Sequence, residues 1–344
     1  MKILVANNLA PFVRGGAEAL ADSLRDNLIA MGHEAEVLRV PFQWEPAGRV
    51  VASMLMARAL EVRNADRVIA LKFPAYLIRH PAKTIWLLHQ FRQAYDLQAA
   101  GLSGVGSGAA ARAVGDMVRA GDQEAFSEAR RIYVNSDVTR ERLATFSGFD
   151  AEILRPPLND SELFTGGASD GYIFAGGRVN DLKRQHLLLE ALALVPGSVR
   201  LVVAGPPDQA DDARRLGRLV ETLDLADRVT LDLRFLPRAE IARHVNGATA
   251  VACLPYDEDS LSYVAMEAAA AGKPILTTRD SGGVLGLARH LETGWVADPE
   301  PEALAEGLSR LADQHFAAGL GEEARRVWRA MQIEWPSTIE RLLA

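Results

Sequence analysis

The sequence predicts an α/β protein built from two doubly wound halves, each a sheet of parallel strands covered by helices. Three observations predict it. The chain has 344 residues, more than one ordinary core holds and suited to two domains of about 150–180 residues each. Short apolar runs alternate with helix-periodic runs along the whole chain, the rhythm of a parallel sheet. The opening unit of strand, glycine-rich loop, helix and strand (residues 2–40) has a counterpart after residue 171. Units of this kind wind a sheet on both faces.

Composition narrows the class. Hydrophobic content of 49% with 24% charge is that of a soluble globular protein. A net charge of −7 argues against a nucleic-acid partner. The one cysteine, Cys253, excludes an internal disulfide and a cysteine metal cage. It lies in an apolar run and reads as an inert buried thiol. The sequence MKILVANN begins directly as a strand, without a signal-peptide pattern, and no apolar run reaches the ~18 residues of a membrane span. The protein is expected in the cytoplasm, with any membrane contact peripheral and at the inner face.

In order, residues 2–6 form a buried strand and Asn7–Gly16 a loop. Ala17, Leu20, Leu24, Leu28 and Met31 mark a helix that Gly32 ends. Residues 36–40 form the next strand, 50–62 a helix, and 67–71 and 84–88 two more strands. Residues 101–108 (GLSGVGSG) have the composition of a mobile loop. A helix follows over 109–130, then a strand at 132–135, a helix over 138–146 capped by Ser136 with Asp137, and a strand at 151–154. Arg155-Pro156-Pro157 and the polar tract 159–169 read as the linker.

The second half carries strands at 172–175, 199–204, 229–233, 248–254, 274–278 and 294–296. Its helices are expected at 185–195, 213–223, 238–245, after Tyr263, and at 301–311. A helical tail begins at Glu322 and is expected to break at Pro336. The expected division is residues 1–160, with a last helix at about 330–344 crossing back to them, and residues 170–329.

The stretch that organises the second half is LPYDEDSLSYVAMEAAAAGKPILTTRDSGG, residues 254–283. Asp259 and Glu267 stand eight positions apart. On one helix that spacing is about two turns, which puts both carboxylates on one face about 12 Å apart. A nucleotide lying along a helix start would meet N–H groups with its phosphate and a carboxylate with its ribose. Asp257-Glu258-Asp259 reads either as a D-x-D metal site or as acids that cap the helix and complement its dipole.

Arg178 and Lys183 follow a strand and two glycines, at the level where open α/β sheets bind ligands. Fixed positive charge there suits a leaving diphosphate; the same residues also fit a solvated basic loop. Arg184 and His186 share the segment. Gly15-Gly16 before a helix offers a second anion site or a simple turn. His89, just past a strand, can meet a substrate hydroxyl or cap the core. Asp280-Ser281-Gly282-Gly283 can meet a sugar through its N–H groups or merely turn the chain. There is no G-x-S-x-G elbow, Walker A loop or zinc motif. The first glycine loop is not G-x-G-x-x-G, which weakens a dinucleotide reading.

These pieces come in the order of a known family. The chain resembles the retaining, nucleotide-sugar-dependent glycosyltransferases of family 4. PFVRGGAE (11–18) resembles the family's N-terminal glycine loop, and GRVNDLK (177–183) its G-R…K diphosphate motif. VVAGP (202–206) is similar to its strand before a base-contacting loop, and Asp259 to Glu267 to its E-x7-E motif. Lys273-Pro274 and Ser281-Gly282-Gly283 match the segments that follow. Asp259 replaces the usual first Glu, Leu261-Ser262 the common Phe-Gly, and Gly286 stands where an acid often follows the glycines.

The resemblance implies two Rossmann-like doubly wound domains facing a central cleft, the GT-B arrangement, with the donor nucleotide in the second. It implies that Glu267 bonds the ribose and that the amides around Ser262, Tyr263 and Val264 meet the diphosphate, helped by Arg178 and Lys183. Asp259 would lie near the donor sugar or its α-phosphate side. Gly15 and Gly16 would approach the diphosphate from the first domain, His89 would orient the sugar or acceptor, and Arg234 and Phe235 would flank the base. Transfer would need no metal and no cofactor beyond the nucleotide-sugar donor. The acceptor would be a glycan, a lipid-linked or a small-molecule hydroxyl, in bacterial surface polysaccharide or glycolipid synthesis. Rival readings are an epimerase or sugar-phosphate transferase on the same scaffold, a non-catalytic nucleotide-sugar-binding protein, and, more distantly, an NAD oxidoreductase.

Overall fold

The computed structural model describes residues 1–11, 15–99, 106, 108–195 and 197–344. It divides into two compact units: Met1–Pro157 with Ile333–Ala344, and Leu158–Gln332.

The first unit runs β1 (Lys2–Leu9), α1 (Gly16–Ala30), β2 (Glu34–Pro41), α2 (Gly48–Ala59), β3 (Arg67–Ala70), β4 (Lys83–Leu87), α3 (Asp96–Ala99), α4 (Ala109–Ser127), β5 (Arg131–Val134), α5 (Asp137–Ser147) and β6 (Glu152–Ile153). Its strands are parallel in the order β2-β1-β3-β4-β5-β6, with Val5 of β1 opposite Val37 of β2 and Ile69 of β3. Strands buried on both faces read as continuous apolar runs because alternate side chains enter different cores. Ile85 and Leu87 join Val50, Met54 and Val118 beneath α2 and α4, while Trp86 faces Leu20, Leu24 and Leu28 of α1. Ser136 caps α5 as expected, its Oγ accepting from the Thr139 N–H at 3.0 Å, and Gly32 follows α1 at φ +87°. Most of the expected mobile loop at 101–108 lies outside the described residues, as do residues 12–14 of the first glycine loop.

The second unit runs β7 (Tyr172–Gly176), α6 (Gln185–Ala193), β8 (Arg200–Ala204), α7 (Ala210–Thr222), β9 (Val229–Asp232), α8 (Arg238–Gly247), β10 (Ala250–Ala252), α9 (Tyr263–Ala270), β11 (Ile275–Thr278), β12 (Gly294–Ala297), α10 (Pro301–Leu311) and α11 (Gln314–Ala330). Its parallel order is β12-β11-β10-β7-β8-β9. Leu188, Leu189 and Leu192 of α6 pack with Leu304, Leu308 and Leu311 of α10 on one face. Buried Ala265, Met266, Ala268 and Ala269 make up the inward side of α9, which packs on α11.

The final helix, α12 (Trp335–Leu343), returns to the first unit. Ile339 and Leu342 are buried there, Trp335 meets Trp86 edge-on at 6.4 Å, and Thr84 Oγ1 donates to the Leu342 carbonyl at 3.2 Å. Pro336 opens this helix rather than ending the preceding one. At the first turn its missing N–H has no carbonyl to lose and its fixed φ is already helical, so the residue that forbids a helix interior is favoured at a start.

Beneath α4 lies a polar knot. Asp122 is completely buried and accepts from the hydroxyls of Tyr76 and Tyr95 at 2.8 and 2.7 Å. Burial pushes its carboxyl up to about 7, further than these hydrogen bonds pull it down.

Candidate active site

In the second unit, sequence order runs outward from β7 through β8 to β9 on one side and from β10 through β11 to β12 on the other. The switch point therefore falls between β7 and β10. Loops leaving these two strands must part in opposite directions, which opens a crevice at their carboxyl ends. The β7–α6 loop (177–184) and the β10–α9 loop (253–262) meet there. Tyr256 N–H donates to Leu182 O at 2.7 Å, and Asp257 N–H to Asp280 O at 2.7 Å.

Backbone crowding explains the glycines. Gly205, at φ +136°, would place a Cβ 2.1 Å from the Gly177 carbonyl oxygen, and a Cβ on Gly283 would lie 2.4 Å from Ser260 O. Neither contact is possible for a real side chain, so the loops can close together only with glycine at these positions.

Both sequence-predicted cations sit in this crevice, and each already has an anion. Arg178 Nη1 donates to both carboxylate oxygens of Asp208 at 2.9 and 3.0 Å, and Asn180 holds the same carboxylate at 2.7 Å. Lys183 Nζ donates to Glu258. Burial opposes the charge on Lys183, but the Glu258 carboxylate outweighs it and the pKa is raised, so the ammonium is charged at neutral pH. Asp208 and Glu258 were not found from the sequence as partners of these cations; the contacts form across 30 and 75 residues of chain.

The start of α9 faces the same loop, with Val264 Cγ2 3.7 Å from where a Cβ on Gly177 would lie. Ser262 is its N-cap but gives no side-chain cap, and the first turn holds no acid. The N–H groups of Tyr263 and Val264 have no intrahelical acceptor, and the helix dipole makes their surroundings attractive to anions. Glu267 lies one turn further in and is 3% exposed. Its Oε1 accepts from Arg238 Nη1, while Oε2 accepts no hydrogen bond from any described residue. Burial raises the Glu267 pKa against the pull of the Arg238 guanidinium. The Tyr263 hydroxyl is buried without a hydrogen-bond partner among the described residues.

Two sequence expectations fail here. Asp259 and Glu267 do not share a helix face, because α9 begins only at Tyr263 and Asp259 belongs to the preceding loop. Nor do Asp257, Glu258 and Asp259 cap α9. Glu258 and its neighbours are tied instead to the next loop, with Gly283 N–H donating to Glu258 O at 2.7 Å and Asp257 at φ +47°. The loop is held by strand-end pairing rather than by helical hydrogen bonds, so the eight-residue spacing carries no helical periodicity. Asp259 is 6% exposed within it. Among the described residues no three His, Cys, Asp or Glu side chains are grouped as metal ligands.

The remaining candidates lie further out. Arg234 and Phe235 follow β9; Arg234 is bonded to both oxygens of Asp232 at 2.7 Å and to Glu240 at 3.2 Å, and Phe235 is 69% exposed. Cys253 is buried and burial pushes its thiol up to about 11, as expected for an inert thiol. Gly15, Gly16 and His89 belong to the first unit: Gly15 and Gly16 open α1, and His89 lies two residues past β4. Gly15 N–H already donates to Glu18 Oε2 at 2.8 Å, so one amide of that expected anion site is occupied. His89 Nδ1 lies 2.6 Å from Gln90 O. Among the described residues no helix is long and apolar enough to cross a membrane.

Comparison with known proteins bears on the second unit most strongly. Residues 167–327 match the family model described as glycosyl transferases group 1. The D-inositol 3-phosphate glycosyltransferase of Mycolicibacterium smegmatis is 30% identical over 244 residues, 65% of this chain and 54% of that protein. The chain thus spans about half the length of the curated relatives it matches. Among solved structures, the sucrose-phosphate synthase of Thermosynechococcus elongatus superposes with a TM-score of 0.79 at 18% identity, over 98% of this chain and 97% of that one. Anabaena HepE in complex with UDP-glucose gives 0.71 at 20% identity, over 99% and 98%.

Proposed function

Because its second unit belongs to the group 1 glycosyl transferases and the chain takes the GT-B fold, we propose that the protein is a retaining, metal-independent transferase that moves a sugar from a nucleoside diphosphate to a hydroxyl acceptor. One observation carries the reading. At the β7/β10 switch point Arg178, Lys183 and the uncapped start of α9 converge, with the Glu267 carboxylate one turn deeper. A nucleoside diphosphate has the complementary pattern: an anionic pyrophosphate next to a ribose diol.

In this reading the pyrophosphate lies against the N–H groups of Tyr263 and Val264 beside Ser262, and Arg178 and Lys183 neutralise the charge that grows as it leaves. Oε2 of Glu267 accepts from a ribose hydroxyl. The exposed Phe235 ring and Arg234 border the base, and Asp259 lies on the sugar side. The sugar C1–O bond to the phosphate breaks and a C1–O bond to the acceptor forms on the same face, the departing phosphate oxygen taking the acceptor proton. The first unit serves the acceptor, with Gly15 and Gly16 at the start of α1 and His89 just past β4. The acceptor class we assign is a glycan or lipid-linked hydroxyl in bacterial surface polysaccharide or glycolipid synthesis. Two cations and a helix start supply the positive charge that a metal would otherwise bring.

The test is release of nucleoside diphosphate from a panel of UDP-, GDP- and ADP-sugars, with and without EDTA. One base class is expected to be turned over, at the same rate in the chelator. No release from any donor would reject the transferase, and loss of activity in EDTA would reject the metal-free mechanism.

A further inference from the structure

Arg184 makes five hydrogen bonds beside the crevice. It stands immediately after Lys183, in the left-handed region at φ +54°, as the N-terminal flanking residue of α6. It is 9% exposed. Nε donates to Leu254 O at 2.8 Å, and Nη2 to Pro255 O at 2.9 Å and Thr278 Oγ1 at 2.7 Å. The fork grips Asp280 bidentately, Nη1 to Oδ2 and Nη2 to Oδ1, both at 2.8 Å. The guanidinium carbon lies 5.7 Å from the centre of the Tyr256 ring. These partners come from the ends of β10 and β11, while the backbone of Arg184 belongs to the loop after β7.

We infer that Arg184 is a positioning residue for the diphosphate-binding loops: it ties the strand ends of β7, β10 and β11 together and thereby fixes where the Lys183 ammonium stands relative to the start of α9. This rests on the donor-site reading given above. A planar guanidinium spends its donors in fixed directions, so one side chain sets the mutual position of three loops. A left-handed backbone conformation is unfavourable for an arginine and persists only where surrounding contacts hold it. Lysine in its place would carry the charge without the fork.

Two replacements separate positioning from stability. Arg184→Ala loses the fork and keeps the backbone strain; Arg184→Gly loses the fork and relieves the strain. The glycine variant should therefore melt higher than the alanine variant. The readout is the dissociation constant for UDP, GDP or ADP, whichever binds the unmodified protein most tightly, measured by calorimetry beside the melting temperature. Both variants are expected to weaken binding equally, by roughly tenfold, as is Lys183→Ala. The double variant Arg184→Gly/Lys183→Ala is expected to lose little more than either alone, because contacting groups that act together are non-additive. Unaltered binding in Arg184→Gly beside a defective Lys183→Ala would overturn this inference alone. So would affinity that tracks melting temperature, or losses that multiply to roughly a hundredfold. Undiminished binding in Lys183→Ala would overturn the donor-site reading and this inference with it.

Discussion

Replacing Glu267 by alanine is expected to lower kcat/KM for the donor by roughly a hundredfold, because a hydrogen bond to a charged group contributes about 1.5–3 kcal/mol and Oε2 would accept one from the ribose. The carboxylate is 3% exposed and its pKa is raised by burial against the pull of Arg238. Buried beside the Arg238 guanidinium, it is shielded from water, which strengthens any hydroxyl donor that reaches Oε2. Glutamine keeps the volume and one acceptor oxygen, and is expected to lose only about tenfold, the share of the charge. Folding must be checked in both variants by melting, since alanine also leaves the half-buried Arg238 with only the carboxylate of Asp160, 3.5 Å from Nε. A folded alanine variant within twofold of the parent would remove Glu267 from the donor site.

The second large effect is on stability. Asp122 has a folded pKa of about 7, raised by complete burial, against about 3.9 for an unfolded aspartate. Between these values the native state keeps a proton that the unfolded chain has released. Its stabilising contribution is therefore complete below about pH 4 and is lost as pH rises through about 7, by up to about 4 kcal/mol. Lys83 acts with the opposite sign and in another window. Burial pulls it down to about 8, so its part of stability rises only as pH climbs above that value. Asp122→Asn stays neutral throughout, and Tyr76 and Tyr95 can rotate their hydroxyls to suit the amide. The variant should match the parent near pH 4.5 and melt clearly higher at pH 8. Melting curves that shift in parallel over this range would show that Asp122 is not protonated in the fold.

Much of this was readable from residues alone, and the reasons differ by element. The strands were legible because parallel strands buried on both faces are apolar throughout, as Ile85-Trp86-Leu87 shows. The strand-end position of Arg178 and Lys183 followed from two glycines after such a run. What the sequence hid was tertiary. Nothing local says that Glu258 takes Lys183, that Asp208 takes Arg178, or that Arg238 on α8 reaches Glu267 on α9. The spacing of Asp259 and Glu267 misled because periodicity is informative only within a continuous helix, and Pro255 to Ser262 is a loop. Arg184 looked like one more charge beside Lys183; its burial and five hydrogen bonds depend on loops 70 to 96 residues away. Pro336 misled by being read as a stop when its neighbours supply a helix that needs a start.

The central claim is that the crevice between β7 and β10 holds a nucleoside diphosphate, and a crystal structure with the turned-over donor's diphosphate product tests it most directly. The pyrophosphate is expected against the N–H groups of Tyr263 and Val264, within reach of Arg178 and Lys183, with a ribose hydroxyl on Oε2 of Glu267. A nucleotide bound elsewhere, with Arg178 still paired to Asp208 and Lys183 to Glu258 around an empty crevice, would contradict it.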